Sequence, residues 1–433
     1  MTQSPLNLLR SRRFLPLFTT QFLGAANDNV FKNALIMLIL YRIAEEAAMS
    51  GQLLVTAAGG IFILPFFLFS ALAGQLADKF EKSRLIRIIK FFEIVFMAMA
   101  TAGLFLENAY YLLAVLFLMG TQSAFFGPLK YGILPDHLRE NELLAGNAMI
   151  EAGTFLAILL GTIVGGLAIL MDNGAAIISA ILLMLAVLGF GASYFIPRAK
   201  AAAAGLRINP NIFSETWRIV RHAASLREVF PSILGISWFW LVGATFLTQF
   251  PNFAKIELGA NEQVVTLFLT VFAVGIGVGS VLCNKMLKGE ISAKHVPLGA
   301  LGMTLFTVDL YFAGGGVTPS PALIGAVEFL AHPVNWAVNW RIVADLALIA
   351  VCGGVYTVPL YAILQNRSEA SHRSRNIAAN NILNALFMVT AAVATAIMLA
   401  RDFSVSDVFL TIAVLNAAVA VYIRKLIPKG RRR

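Results

Sequence analysis

Charge is what this sequence has least of. Aspartate, glutamate, lysine and arginine make up 13% of its 433 residues, against 59% apolar. A soluble domain carries about a quarter charged residues. Such scarcity excludes a water-solvated exterior over most of the chain and points to a membrane protein. Cysteine is nearly absent too. Cys283 and Cys352 both sit in apolar context, which argues against a disulfide framework and a thiolate metal site. His137, His222, His295, His332 and His372 are scattered through connections without metal-ligand spacing. No local set of nucleophile, base and acid emerges, so neither an enzyme nor a metal or organic cofactor is expected. Residues 127–132, GPLKYG, lack the glycine pattern and terminal hydroxyl of a phosphate-binding loop. The net charge of +10 comes without a helix-turn-helix, zinc or RNA-binding pattern, so no nucleic-acid partner is expected.

What is present is a series of long apolar runs. They predict spans near 14–41, 52–77, 87–106, 110–134, 143–170 and 175–196, then near 231–252, 263–287, 294–314, 342–365, 376–399 and 405–426. Runs of about 20 residues suit helices, and are too long for barrel strands. Arg10, Arg12 and Arg13 precede the first run, which reads as a span rather than a cleavable signal peptide. Lys79, Lys82, Arg84 and Arg87 fill the second–third connection, and Lys285, Lys288 and Lys294 the eighth–ninth. Arg198, Lys200, Arg207, Arg218, Arg221 and Arg227 lie in the central connection; Arg424, Lys425, Lys429 and Arg431 to Arg433 close the chain. With twelve spans, all these cations fall on one side. The positive-inside rule then predicts both termini in the cytoplasm. The expected organisation is a six-helix half over 1–196, a cytoplasmic connection over 197–230, and a second half with a basic tail over 231–433. Helical spacing of apolar and basic residues inside 197–230 predicts an amphipathic helix. Residues 315–341 read as a surface helix or re-entrant segment on the other side.

The two halves echo one another. GPLKYGILPDHL (127–138) and VPLYAILQNRSE (358–369) share Pro-Leu followed by Ile-Leu, each near the basic end of a span. Paired halves around an access path are a transporter solution. Charges also sit inside the apolar runs. Asp28 and Lys32 in GAANDNVFKNAL (24–35) are four apart and can pair on one helix face. Asn27, Asn29 and Asn33 surround them. A charge facing hydrocarbon is costly, so this cluster must face another helix or water. A structural clamp and a substrate or coupling site are both open readings. Lys130 and Glu151 fall at similar depth on adjacent spans and are expected to form an ion pair, with Lys130 also a candidate point charge for phosphate. Asp309 and Asp345 are secondary candidates near the other interface, and Arg341 reads as an interface anchor. Gly161, Gly165 and Gly166 permit close helix packing.

The turn GQLADKFEKSRLIR (74–87) resembles the glycine–acid–basic signature of the major facilitator superfamily. Gly74, Asp78, Lys79 and Arg84 are the candidate cytoplasmic gate. Taken with QFLGAANDNVFKNAL (21–35), GPLKYGILPDHL, AGNAMIEAGTFLAILLG (145–161) and VPLYAILQ (358–365), nearly the whole chain resembles the lysophospholipid transporter family within that superfamily. The resemblance implies an all-α polytopic membrane protein with two six-helix halves in a bacterial inner membrane. It implies inward movement of lysophospholipids by alternating access for lipid repair, lysophosphatidylethanolamine or a related lipid being expected. Asp28, Asn29, Lys130 and Glu151 match its polar positions, and Lys32 joins them as a binding or coupling candidate. A separate acyltransferase would be the functional partner, and a monomer the transport unit. Proton or sodium coupling is left open. The alternatives are an ion-coupled small-molecule or drug antiporter, and a nontransporting receptor or scaffold.

Overall fold

A computed structural model describes residues 5–43, 51–317 and 322–424. Residues 44–50, 318–321 and the basic tail from Lys425 onward lie outside the described residues. The first six long helices are α1 (Leu15–Leu38), α2 (Gly51–Lys79), α3 (Lys82–Leu106), α4 (Ala109–Gly132), α5 (Glu140–Ala168) and α6 (Gly174–Ser193). A shorter α7 (Ile212–Ser225) lies in the central connection. The last six are α8 (Val229–Asn252), α9 (Glu262–Leu287), α10 (Val296–Gly315), α11 (Trp336–Arg367), α12 (Arg373–Leu399) and α13 (Val405–Ile423). Eleven of these are long and apolar enough to cross a membrane. The remaining long helix, α1, carries Asn27, Asp28, Asn29, Lys32 and Asn33, which dilute its apolar character.

Local chemistry places the helix ends. The Asn108 side chain caps α4 through the Tyr111 N–H, and Asn261 caps α9 through Gln263 N–H. Ser404 and Asp407 form a reciprocal capping box at the start of α13. Glu107 and Lys288 close α3 and α9 in the left-handed conformation. Between 315 and 341 the described part holds a short helix, Ala326–Leu330, and an isolated bridge from Ala260 to Ile324.

In the first half, α1 packs on α5 and α6, α2 on α4, and α3 on α6. In the second, α11 lies between α9 and α10, α10 packs on α13, and α8 on α12. The halves meet where α2 packs on α12 and α5 on α9. Because the helices alternate in direction, connections 80–81, 133–139, 194–228, 288–295 and 368–372 share one end, here the basic end. Helix α7 lies there against α12 and α2. It buries Glu215, Ile219 and Ala223 and exposes Phe213 and Trp217, the arrangement of an amphipathic strap on a bilayer surface.

Candidate functional site

The interior of the first half holds an ionic network that apolar helices must enclose or hydrate. Glu93 is its hub. Lys90 Nζ donates to Glu93 Oε2 at 2.5 Å, and both side chains are almost fully buried. Gln122 Nε2 donates to the same oxygen at 2.8 Å, and Asn27 Nδ2 to Oε1 at 3.1 Å. One carboxylate thus ties α1, α3 and α4 together. Beside it, the Ser123 hydroxyl donates to Asp28 Oδ2 at 2.5 Å. Asp28 interacts electrostatically with Glu93, Lys90 and Lys32.

The two expected ion pairs are not formed. Lys32 Nζ bonds Asn29 Oδ1 at 3.2 Å instead of Asp28, because Asp28 turns across to Ser123 on α4. Glu151 does not close on Lys130. Its Oε1 accepts the Tyr131 hydroxyl at 2.5 Å, and its buried Oε2 has no hydrogen-bond partner among the described residues. Lys130 Nζ lies 4.8 Å from the centre of the Tyr131 ring, in electrostatic reach of Glu151, Asp28 and Lys90. Lys130 enters no ion pair among the described residues. A buried carboxylate oxygen and a cation, both lacking a direct partner, are groups that a polar ligand can satisfy.

Sequence reasoning passed over Lys90 and Glu93. Their signal was an acid–base pair three residues apart, within the apolar run after the basic turn. Lys90 reads there as one more cation of the connection, and packing against α1, α4 and α6 buries it. Gly24 makes room: a Cβ there would sit 2.2 Å from Lys90 Nζ.

At the basic end, polar contacts join the halves. Asp78, fully buried, accepts Arg375 Nε at 3.0 Å and the backbone N–H groups of Ser374 and Arg375 at 2.9 and 3.3 Å. The carboxylate therefore sits at the N-terminus of α12, where helix dipole and unpaired N–H groups favour an anion. Gly74 allows the approach, since a Cβ there would meet Ala378 Cβ at 2.7 Å. Lys79 and Arg84 take no part in this closure. Lys79 Nζ lies over the Phe80 ring, and the Arg84 backbone N–H caps onto Glu81.

The two echoing segments meet nearby. Tyr131 stacks on Tyr361 with ring centres 4.4 Å apart and planes 10° from parallel. Trp240 Nε1 donates to the Tyr361 hydroxyl at 2.9 Å. Asn147 and Gln365 exchange amide hydrogen bonds of 2.8 and 2.9 Å. Glu140 accepts from Asn366, and Asp136 from Lys82 and Arg373. Outside the basic end, Asp309 and Arg341 form an exposed ion pair, while one oxygen of the neighbouring Asp345 is buried without a partner among the described residues. Arg341 thus holds Asp309 rather than serving as an anchor alone.

Comparison with known proteins gives the same architecture. Residues 17–339 match the sequence profile of the Major Facilitator Superfamily. A protein of Escherichia fergusonii named lysophospholipid transporter LplT is 26% identical, over 86% of this chain and 85% of its own. The protein of that name from Salmonella paratyphi B is 27% identical, over 86% and 84%. Among solved structures, the human organic anion transporter MFSD10 superposes with a TM-score of 0.72 at 13% identity, covering 95% of this chain and 99% of its own. A Major Facilitator Superfamily transporter, FucP, in the outward conformation superposes with 0.69 at 14%, covering 95% and 97%. With this profile spanning most of its spans and this fold shared at both ends, the chain is a multi-pass membrane protein that belongs to the Major Facilitator Superfamily.

Proposed function

We propose that this protein carries lysophospholipids, with lysophosphatidylethanolamine as the leading substrate, inward across a bacterial inner membrane by alternating access of its two halves. The observation that carries this reading is the mixed-sign interior of the first half. Asp28, Glu93 and Glu151 offer three carboxylates, and Lys32, Lys90 and Lys130 three ammonium groups. A zwitterionic headgroup matches that balance. Its phosphate would meet Lys130, and its ammonium Asp28 and the free oxygen of Glu151, each by a charge-assisted contact. The spans of the second half carry a buried aromatic cluster instead, with Phe246 stacked on Phe409 and Phe272. The relatives' printed name supports the same substrate class.

The basic end is taken as cytoplasmic by the positive-inside rule. Asp78–Arg375 and Asn147–Gln365 then close the inner side, and Gly74 and Asp78 act as its gate. A headgroup that draws Lys130 and Glu151 toward itself would bias the Tyr131–Tyr361 stack and release that closure, through differential binding to the two states.

The test is purified protein in vesicles with labelled lysophosphatidylethanolamine on one face, timing the loss of extractable label. Transfer should depend on the protein. Asp28→Asn and Lys130→Gln should each slow it by about tenfold, as for the loss of one charge-assisted contact. No protein-dependent transfer by folded, correctly oriented protein, with ion gradients applied in both directions, sinks the substrate assignment.

A further inference from the structure

One recess lies in the first half, lined by α2, α3 and α4. It has a volume of about 360 Å³, within the range of small-molecule pockets, and its surface is almost wholly hydrocarbon. Leu76 lines it from α2, Ile88 and Phe92 from α3, and Phe125 from α4. The polar groups that line it are satisfied elsewhere: Gln122 donates to Glu93, and Thr121 to the Phe117 carbonyl. Ile88 and Phe92 are half exposed, so the recess opens to the bilayer.

The residues above it supply the second observation. Arg84, Ile88, Phe92 and Phe96 follow at intervals of four along α3, each step turning about 40° round the helix, so Arg84 adjoins the Ile88 edge of the recess. Ile88, Phe92 and Phe96 line the recess, and Arg84 heads the stripe at its basic end. On α2, Lys79 stands three residues beyond Leu76 in the same way. Neither Lys79 nor Arg84 enters an ion pair among the described residues, and Arg84 is exposed. The stripe from Arg84 to Phe96 rises by about 18 Å at about 1.5 Å per residue. That is about the hydrocarbon depth of one leaflet, half of about 30 Å. A single-leaflet trench whose headgroup end carries two cations outside any ion pair among the described residues is complementary to an amphiphile with one chain and one phosphate.

We propose that this groove holds the acyl chain of a lysophospholipid in the leaflet of the basic end, its phosphate met by Lys79 and Arg84. The site rests on the lipid-transport reading and extends it with a lateral station for the tail. It also gives a role to two signature residues that the closure between the halves leaves unused.

The experiment uses the full chain in lipid vesicles with lysophosphatidylethanolamine carrying a photoreactive group near the chain end. Adducts are mapped by mass spectrometry, and lipid transfer is measured on the same vesicles. Adducts are expected within 85–96 and 121–129. Two variants at exposed or half-exposed positions keep the test independent of folding. Ile88→Trp fills the groove, and the double change Lys79→Gln with Arg84→Gln removes the cations. Ile88→Trp should bring labelling there to background by filling the space, and the double change should lower it by about tenfold or more, since at least one charge-assisted contact is lost. Labelling only outside 85–96 and 121–129, or labelling unchanged in both variants, overturns the site. Transfer that continues while the groove stays unlabelled removes the site and leaves lipid transport standing. Adducts in the groove without transfer keep the site and remove the transport reading.

Discussion

Glu151 shows how one side chain ties ligand binding to closure. Among the described residues it has a single direct donor, the Tyr131 hydroxyl at 2.5 Å, and its other oxygen is buried without a partner. Tyr131 in turn stacks on Tyr361 across the halves. Tyr131→Phe keeps the stacked ring and deletes the donor. Leaving a buried polar group unsatisfied costs about 1–3 kcal/mol, more for a charged one. Thermal unfolding of the purified variant should therefore begin at lower temperature than for the native chain. Glu151→Gln in the same background should recover part of the loss, because an amide is cheaper to bury than a carboxylate. If Tyr131→Phe unfolds like the native chain, water or another group already serves Glu151, and the hydroxyl carries no coupling.

At the scale of elements, the turn between α2 and α3 combines a cap with a brace. Glu81 accepts the backbone N–H groups of Ser83 and Arg84, the Ser83 hydroxyl, and the N–H of Ala199 in the central connection. Partial burial disfavours its charge, but the hydrogen bond from the Ser83 hydroxyl and those from backbone N–H groups of Ala199, Ser83 and Arg84 outweigh that and hold its carboxyl below the ordinary value. A depressed carboxylate contributes stability that is present above its unfolded value and lost as pH falls through the folded one. Glu81→Ala should destabilise the start of α3 by about 0.5–2 kcal/mol, the range for a lost helix cap. Hydrogen exchange of the Ser83, Arg84 and Ala199 amides should rise near neutral pH, and the difference from native should shrink below the carboxylate range. A difference that persists unchanged in acid would mean that charge is not what holds the turn.

For the whole molecule, the halves divide the chemistry unequally. The first encloses the ionic network around Glu93, and the second a stacked aromatic core. They are joined at the basic end by Asp78–Arg375, Asn147–Gln365 and Tyr131–Tyr361. If transport needs that end to open, fastening it should stop turnover. Cysteines at positions 147 and 365, with Cys283 and Cys352 replaced by alanine, can be joined by a short reducible bismaleimide. Lipid transfer should then fall to the empty-vesicle level and return on cleavage of the linker. Undiminished transfer with the linker in place would exclude opening between α5 and α11 as part of the cycle.

The order of apolar runs and basic connections was enough to read the helical class, because burying backbone groups in lipid leaves few alternatives for runs of that length. Gly74 and Asp78 were legible as a unit since they lie one turn apart on one helix. The residues that complete them were not, for Arg375 stands 297 positions from Asp78. Local spacing also misjudged Asp28 with Lys32 and Lys130 with Glu151. Four residues on a helix, or equal depth on two helices, puts charges within reach of each other. It does not say which neighbour on a third helix offers a better hydrogen bond. Sequence alone therefore determined that this chain crosses a membrane many times and encloses charge inside its first half. Tertiary structure decided which carboxylate is shared by three helices, that Lys130 enters no ion pair among the described residues, and where the halves meet, because those follow from the faces that helices distant in sequence turn toward one another.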